Sequence, residues 1–204
     1  MNKHPLKLMT LLTSLFISGT SFAQLGEGLL VNLGLTYKTS STKTVYSGTQ
    51  EDQSSEREGT EIILNFSGGY SLGNGMLAGI KYYNTAEGSK SGDDKFDTER
   101  DALGFMAGYN FDSFLAQFSY MALTPPSIKA STNNGNDTVE YKEGSGYIFD
   151  FMYMFKIGGV FFGPQISYVS FTYEKLLTND VEVEEFESYT ETDLIPLFSI
   201  VGIF

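Results

Sequence analysis

The chain has 204 residues, with 25 acidic against 13 basic side chains, one histidine, no cysteine and no tryptophan. An acidic balance repels phosphate backbones and disfavours nucleic-acid binding. The lack of cysteine removes disulfides, thiolate metal sites, thiol nucleophiles and a lipid-bearing N-terminal cysteine.

The first segment reads as a processing signal. A basic start at Lys3 and Lys7 leads into an apolar run from Leu8 to Ile17, then to Ser21-Phe22-Ala23. Basic, apolar and small-residue regions in that order predict a secretory signal peptide over residues 1–23, cut after Ala23. The apolar run is too short to cross a bilayer as a helix. Residues 24–204 then form one domain, with 11 basic and 25 acidic residues and a net charge of −14. His4 lies in the signal segment, so the mature domain has neither histidine nor cysteine.

From there period-two alternation dominates, with 17 Phe, 13 Tyr and 22 Gly, and eight strands are predicted. Leu29 to Lys38 sets Leu29, Val31, Leu33, Leu35 and Tyr37 against Asn32, Gly34, Thr36 and Lys38. The second strand opposes Ile62, Leu64, Phe66, Tyr70 and Leu72 to Glu61, Asn65, Ser67, Gly69 and Ser71. In the third, Met76, Ala78, Ile80 and Tyr82 face away from Gly79, Lys81 and Tyr83; in the fourth, Leu103, Phe105, Ala107, Tyr109 and Phe111 face away from Arg100, Gly104, Gly108 and Asn110. The fifth alternates Phe114, Ala116, Phe118 and Tyr120 with Gln117 and Ser119. The sixth places Tyr147, Phe149, Phe151, Tyr153 and Phe155 on one face, and Asp150, Met152 and Met154 on the other. The seventh opposes Phe162, Ile166 and Tyr168 to Gly163, Gln165 and Ser167, with Val169 and Phe171 blurring the pattern. The eighth, Leu194 to Phe204, is apolar on both faces apart from Ser199, and Pro196 interrupts it.

Connections alternate short and long. Gly73-Asn74-Gly75, residues 110–113 and Lys156-Ile157-Gly158-Gly159 have tight-turn compositions, while residues 39–59, 84–98, 123–145 and 174–190 read as long, polar, mostly acidic loops. Short turns on one rim and long loops on the other are the layout of a transmembrane barrel. The expected fold is therefore all-β, an eight-stranded antiparallel up-and-down transmembrane β-barrel with both termini on the short-turn side. Period two alone leaves open which face is outside, since a soluble barrel inverts it. The strands carry few charges, and tyrosines gather toward the loop ends; both features favour rings outward toward lipid, with glycine, serine and amides inside.

The eighth strand ends at Phe204, in phase with Phe198, Ile200 and Gly202. In this it resembles the small outer-membrane barrels of the OmpA, OmpX and OmpW types, whose last strand finishes in an aromatic residue. The resemblance implies a cell outer-membrane location, with loops outside and termini periplasmic. It also implies recognition of Phe198, Ile200, Gly202 and Phe204 by the barrel-assembly machinery, with outer-membrane lipid and lipopolysaccharide as surroundings. The resemblance rests on layout except in this last strand.

Chemistry on the mature chain is sparse. Without histidine there is no Ser-His-Asp hydrolysis or imidazole metal site, so no catalytic residue, metal or cofactor is expected. The inward face carries Glu61, Lys81, Arg100 and Asp150. Buried charges need partners, so these four are expected to pair and plug or gate the lumen; the plainer alternative is that they are solvated near the outer rim or only solubilise the interior. Glu51-Asp52, Asp93-Asp94 and Glu182-Val183-Glu184-Glu185 could hold divalent cations through carboxylate oxygens, although a solvated surface explains them as well. A non-enzymatic envelope or surface-interaction role is expected first. A narrow channel for ions or small apolar solutes and a soluble secreted lipid-binding barrel are the alternatives.

Overall fold

A computed structural model describes residues 25–46, 53–91, 94–132, 138–184 and 186–204. The expected cleavage site at Ala23 and the loop residues Glu51, Asp52, Asp93 and Glu185 lie outside them. The strands in chain order are β1 (Glu27–Tyr46), β2 (Gln53–Leu72), β3 (Met76–Ser91), β4 (Asp94–Phe111), β5 (Phe114–Thr132), β6 (Thr138–Lys142), β7 (Ser145–Tyr153), β8 (Phe155–Ile157), β9 (Val160–Tyr173), β10 (Lys175–Thr178), β11 (Val181–Glu182) and β12 (Tyr189–Ile203).

Strands β1 to β5 pair in succession, β5 pairs with β7, β7 and β8 with β9, and β9 with β12. Strand β12 returns to β1, from Leu30↔Ile203 to Leu35↔Phe198. All these pairings are antiparallel, so with β7 and β8 as one strand broken at Met154 the sheet closes into the expected eight-strand barrel. The short turns fall where expected. Gly73, Gly75 and Gly158 have positive φ there, which only glycine adopts without strain.

The structure departs from the predicted boundaries on the other rim. Strands β1 and β2 stay paired to Tyr46↔Gln53, and β3 and β4 to Ser91↔Asp94. Much of the segments predicted as loops is therefore strand. These segments are mostly polar in sequence and carry no hydrophobic alternation, while the backbone ladder continues through them. Strands β6, β10 and β11 add a small sheet to the upper part of β5.

Strand β5 changes phase on the way up. Residues 121–126 of β5 stand opposite only residues 102–104 of β4, an odd surplus that turns the alternation over. Gln117, Ser119 and Met121 point inward below the bulge; above it Pro126 and Ile128 do. Pro125 and Pro126 fit there because a bulge needs no continuous row of donors.

Orientation is read from exposure. Outward residues such as Leu29, Ile80, Phe105, Phe149, Ile166 and Phe198 are 46–58% exposed, whereas Asn32, Asn65, Lys81, Gln117, Asp150 and Gln165 are at most 1% exposed. Neighbouring outer rings touch around the turn end: Phe111 and Phe114 lie 5.4 Å apart, Phe114 and Tyr153 5.0 Å, Tyr153 and Phe155 4.8 Å, and Phe162 and Phe198 6.1 Å.

Candidate functional site

The interior is built in layers, because each inward position on one strand meets others at the same height across a narrow tube. At mid-height Asp150 of β7 is the hub. It forms a buried ion pair with Lys81 of β3. It also accepts hydrogen bonds from Ser167 Oγ at 2.5 Å, Gln165 Nε2 at 2.8 Å and Asn65 Nδ2 at 3.2 Å. Ser199 donates to Gln165 Oε1 at 2.7 Å, which orients that amide toward the carboxylate. Asn32 of β1 reaches Gln117 of β5, on the opposite wall, at 3.4 Å. Two charges leaving water lose several kcal/mol of solvation each, and only close pairing with further donors makes up for it. Asp150 has all of these.

Apolar layers lie above and below, which the strand pattern did not lead one to expect. Beneath are Leu30, Leu77, Met106, Leu115, Met152, Phe161 and Val201, joined by Leu25, whose backbone N–H donates to Asn110 Oδ1 at 2.7 Å. Above are Ile63, Met121, Ile148, Val169, Phe171, Ile195 and Leu197. There Tyr83 of β3 meets Phe171 of the opposite β9 edge to face, with centroids 5.5 Å apart. The residues that blurred the seventh and eighth strands, Val169, Phe171, Ile195 and Leu197, are this upper layer. Ser67, Ser71 and Ser119 hydroxyls are buried without a protein partner among the described residues. The two apolar layers thus enclose a mid-height polar layer in which not every hydroxyl is hydrogen-bonded.

The four inward charges do not form one network. Lys81 and Asp150 pair at mid-height, while Arg100 sits higher, 3.6 Å from Glu61 and 3.1 Å from Glu191. Arg100 also donates to Thr85 Oγ1 at 3.2 Å. Glu191 is the member that sequence reading missed. It lies in phase with Ile195, Leu197 and Ser199, and running the alternation of the last strand back past Leu194 would have found it. The cavity beside this upper cluster measures about 10 Å3, room for about one water.

Ion pairs also tie down the sheet on the outer rim. Glu140 of β6 lies 3.1 Å from Lys129 and 2.5 Å from Lys142, and Lys175 of β10 lies 2.9 Å from Glu182 and 3.4 Å from Glu143. Hydrogen bonds from Lys142 and Lys129 hold the Glu140 carboxyl below its ordinary 4.5. A carboxyl depressed in the folded state stabilises it above the unfolded pKa, and that contribution disappears as the pH falls through the folded value. Limited proteolysis within β6, β10 and β11 (residues 138–142 and 175–182) is therefore expected to accelerate as the pH drops below about 4.5, while the heat-resistant barrel band persists. Glu140→Gln should show the faster cutting already at neutral pH. Among the described residues no group of three or more acidic side chains is placed to hold a metal ion.

Phe198, Ile200 and Phe204, for which the resemblance implies a part in barrel assembly, share the outward phase of the last strand. Phe198 and Ile200 are exposed, and Phe204 is 80% exposed. A side chain at Gly202 would meet the Phe204 ring at 2.8 Å, so the glycine makes room for that ring to lie back on the strand. Phe204 and Leu29 exchange both backbone hydrogen bonds, at 2.9 and 3.0 Å, and so close the barrel at its base.

No family model matches the chain, and no curated protein matches it. Among solved structures, the translocator domain of autotransporter NalP from Neisseria meningitidis is similar at 13% identity and a TM-score of 0.42, over 95% of this chain and 66% of that one. An outer membrane channel from Pseudomonas putida F1 is similar at 11% identity and a TM-score of 0.29, over 92% of this chain and 100% of that one. The chain thus spans just under two thirds of the translocator domain.

Proposed function

We propose that this chain is an integral barrel of a Gram-negative outer membrane, exported by its N-terminal signal, non-enzymatic, and closed to ions. Its role would be to hold a strand-built surface above the membrane for envelope or surface interactions. The observation that carries this reading is the filled interior: a fully buried Lys81–Asp150 pair between two apolar layers, with side chains of opposite walls in contact. An outer belt of exposed Phe, Ile and Leu supports the membrane setting, since a soluble monomer rarely leaves so much contiguous apolar surface in water. Backbone satisfaction within a closed barrel is also what lipid demands. The backbone ladders of β1–β2 and β3–β4 continue past the belt, to Tyr46↔Gln53 and Ser91↔Asp94.

Purified protein reconstituted into planar bilayers is expected to give no unitary conductance steps. Reproducible steps would overturn the closed reading in favour of a narrow channel. Recovery of the protein in the outer-membrane fraction, with heat-dependent gel migration, checks the setting; extraction without detergent would defeat it.

A further inference from the structure

Strands β1 and β12 do not pair along their full length. Their ladder stops at Leu35↔Phe198, although β1 continues to Tyr46 on β2 and β12 begins at Tyr189 on β9. Phe204 and Leu29 bond each other, and antiparallel bonding repeats every second residue. The next rung would therefore join Pro196 to Tyr37, and Pro196 has no N–H to give. One step further up, the Leu194 N–H is taken by the Asp193 carboxylate at 2.8 Å. Both devices blunt a strand edge and hold the gap open.

The gap encloses a cavity of about 250 Å3. Its mouth, at Tyr37, Leu194 and Pro196, faces outward with the apolar belt; its floor is Ile63 and Ile195, part of the upper apolar layer. Lys38 and Asp193 line it toward the outer rim. Arg100, the nearby cation within the barrel, is already engaged by Glu61 and Glu191. We infer that this crevice is a lipid site: it seats one acyl chain of a zwitterionic membrane phospholipid, with the phosphate beside Lys38 and the ammonium beside Asp193. The apolar floor and mouth suit a hydrocarbon chain, and opposite charges at one end complement a headgroup carrying both signs.

The inference rests on the belt facing lipid, but its failure is separable, since a silent, membrane-embedded barrel can lack a bound lipid. Delipidated protein in detergent is titrated with phosphatidylethanolamine or phosphatidylglycerol of identical chains, and bound lipid is counted by native mass spectrometry. One lipid per barrel is expected, with phosphatidylethanolamine favoured by about tenfold, near 1.4 kcal/mol. Pro196→Val restores the donor opposite Tyr37 and should weaken retention of both lipids. Leu194→Ala, which leaves the ladder alone and guards against misfolding of the first variant, should also weaken both. Asp193→Asn, which keeps a side-chain oxygen to accept the Leu194 N–H, should retain the chain but lose most of the preference for phosphatidylethanolamine. Retention in the wild type no greater than in Leu194→Ala, equal binding of the two lipids, or an unchanged preference in Asp193→Asn would each overturn the proposal.

Discussion

Replacing Lys81 by methionine is expected to destabilise the folded barrel by about 3–5 kcal/mol, the largest effect of any single change considered, because it strands a carboxylate in a layer closed to water. Asp150 would retain its bonds from Ser167, Gln165 and Asn65, but three neutral donors do not replace a cation. Asp150→Asn alone should be damaging for the opposite reason, leaving an ammonium without its counter-ion. The double variant Lys81→Met with Asp150→Asn removes both charges and keeps a hydrogen-bonding side chain at the hub. It should recover more than half of the loss, since removing a buried pair together is far less harmful than breaking it. Urea unfolding in detergent, followed by the heat-modifiable band, gives the comparison. Single variants as stable as the wild type would mean that water reaches this layer, and the closed interior would be refuted.

Phe149→Arg should cost roughly 2–4 kcal/mol in a bilayer, the range for arginine on a lipid-facing strand near mid-membrane. Phe149 is 49% exposed, on the outer face beside the inward Asp150, midway between the ring bands at the two ends of the belt. Asp97→Arg tests the same outer phase of β4 above the belt, where it pairs with Gly88 and Ser131. Only about 0–1 kcal/mol is expected there, as depth dependence requires. If both substitutions prove equally mild in bilayers, the belt does not meet hydrocarbon. The contrast is independent of conductance, so it tests the setting of the barrel apart from its closure.

These two experiments sample features of different legibility. The outer face of β7 could be read directly: Tyr147 through Tyr153 alternate without a break, and a pleated strand has no choice but to send alternate residues to opposite faces. The inward positions of Glu61, Lys81, Arg100 and Asp150 were equally plain. Their partners were not. Lys81 and Asp150 are 69 residues apart in sequence and meet across the lumen, so their pairing depends on the stagger of the whole barrel. Glu191 lies before Leu194, the first apolar residue of the last strand, so apolar alternation does not reach it. The β1–β2 and β3–β4 extensions fall in segments that the sequence predicts as loops, because hydrophobic alternation is the strand signal and a mostly polar stretch lacks it.

The sequence by itself determined the class of fold, the number of wall strands, the short-turn rim and which residues of the regularly alternating strands share a face, since all of these follow from local periodicity and turn chemistry. Tertiary structure alone decided what depends on register: two separate charge clusters, the apolar layers that close the tube, the phase change in β5, and the crevice beside Pro196. A proline in a last strand is visible in any listing of the residues. Only closure of the barrel, which sets that proline opposite Tyr37, turns one missing N–H into an opening in the wall.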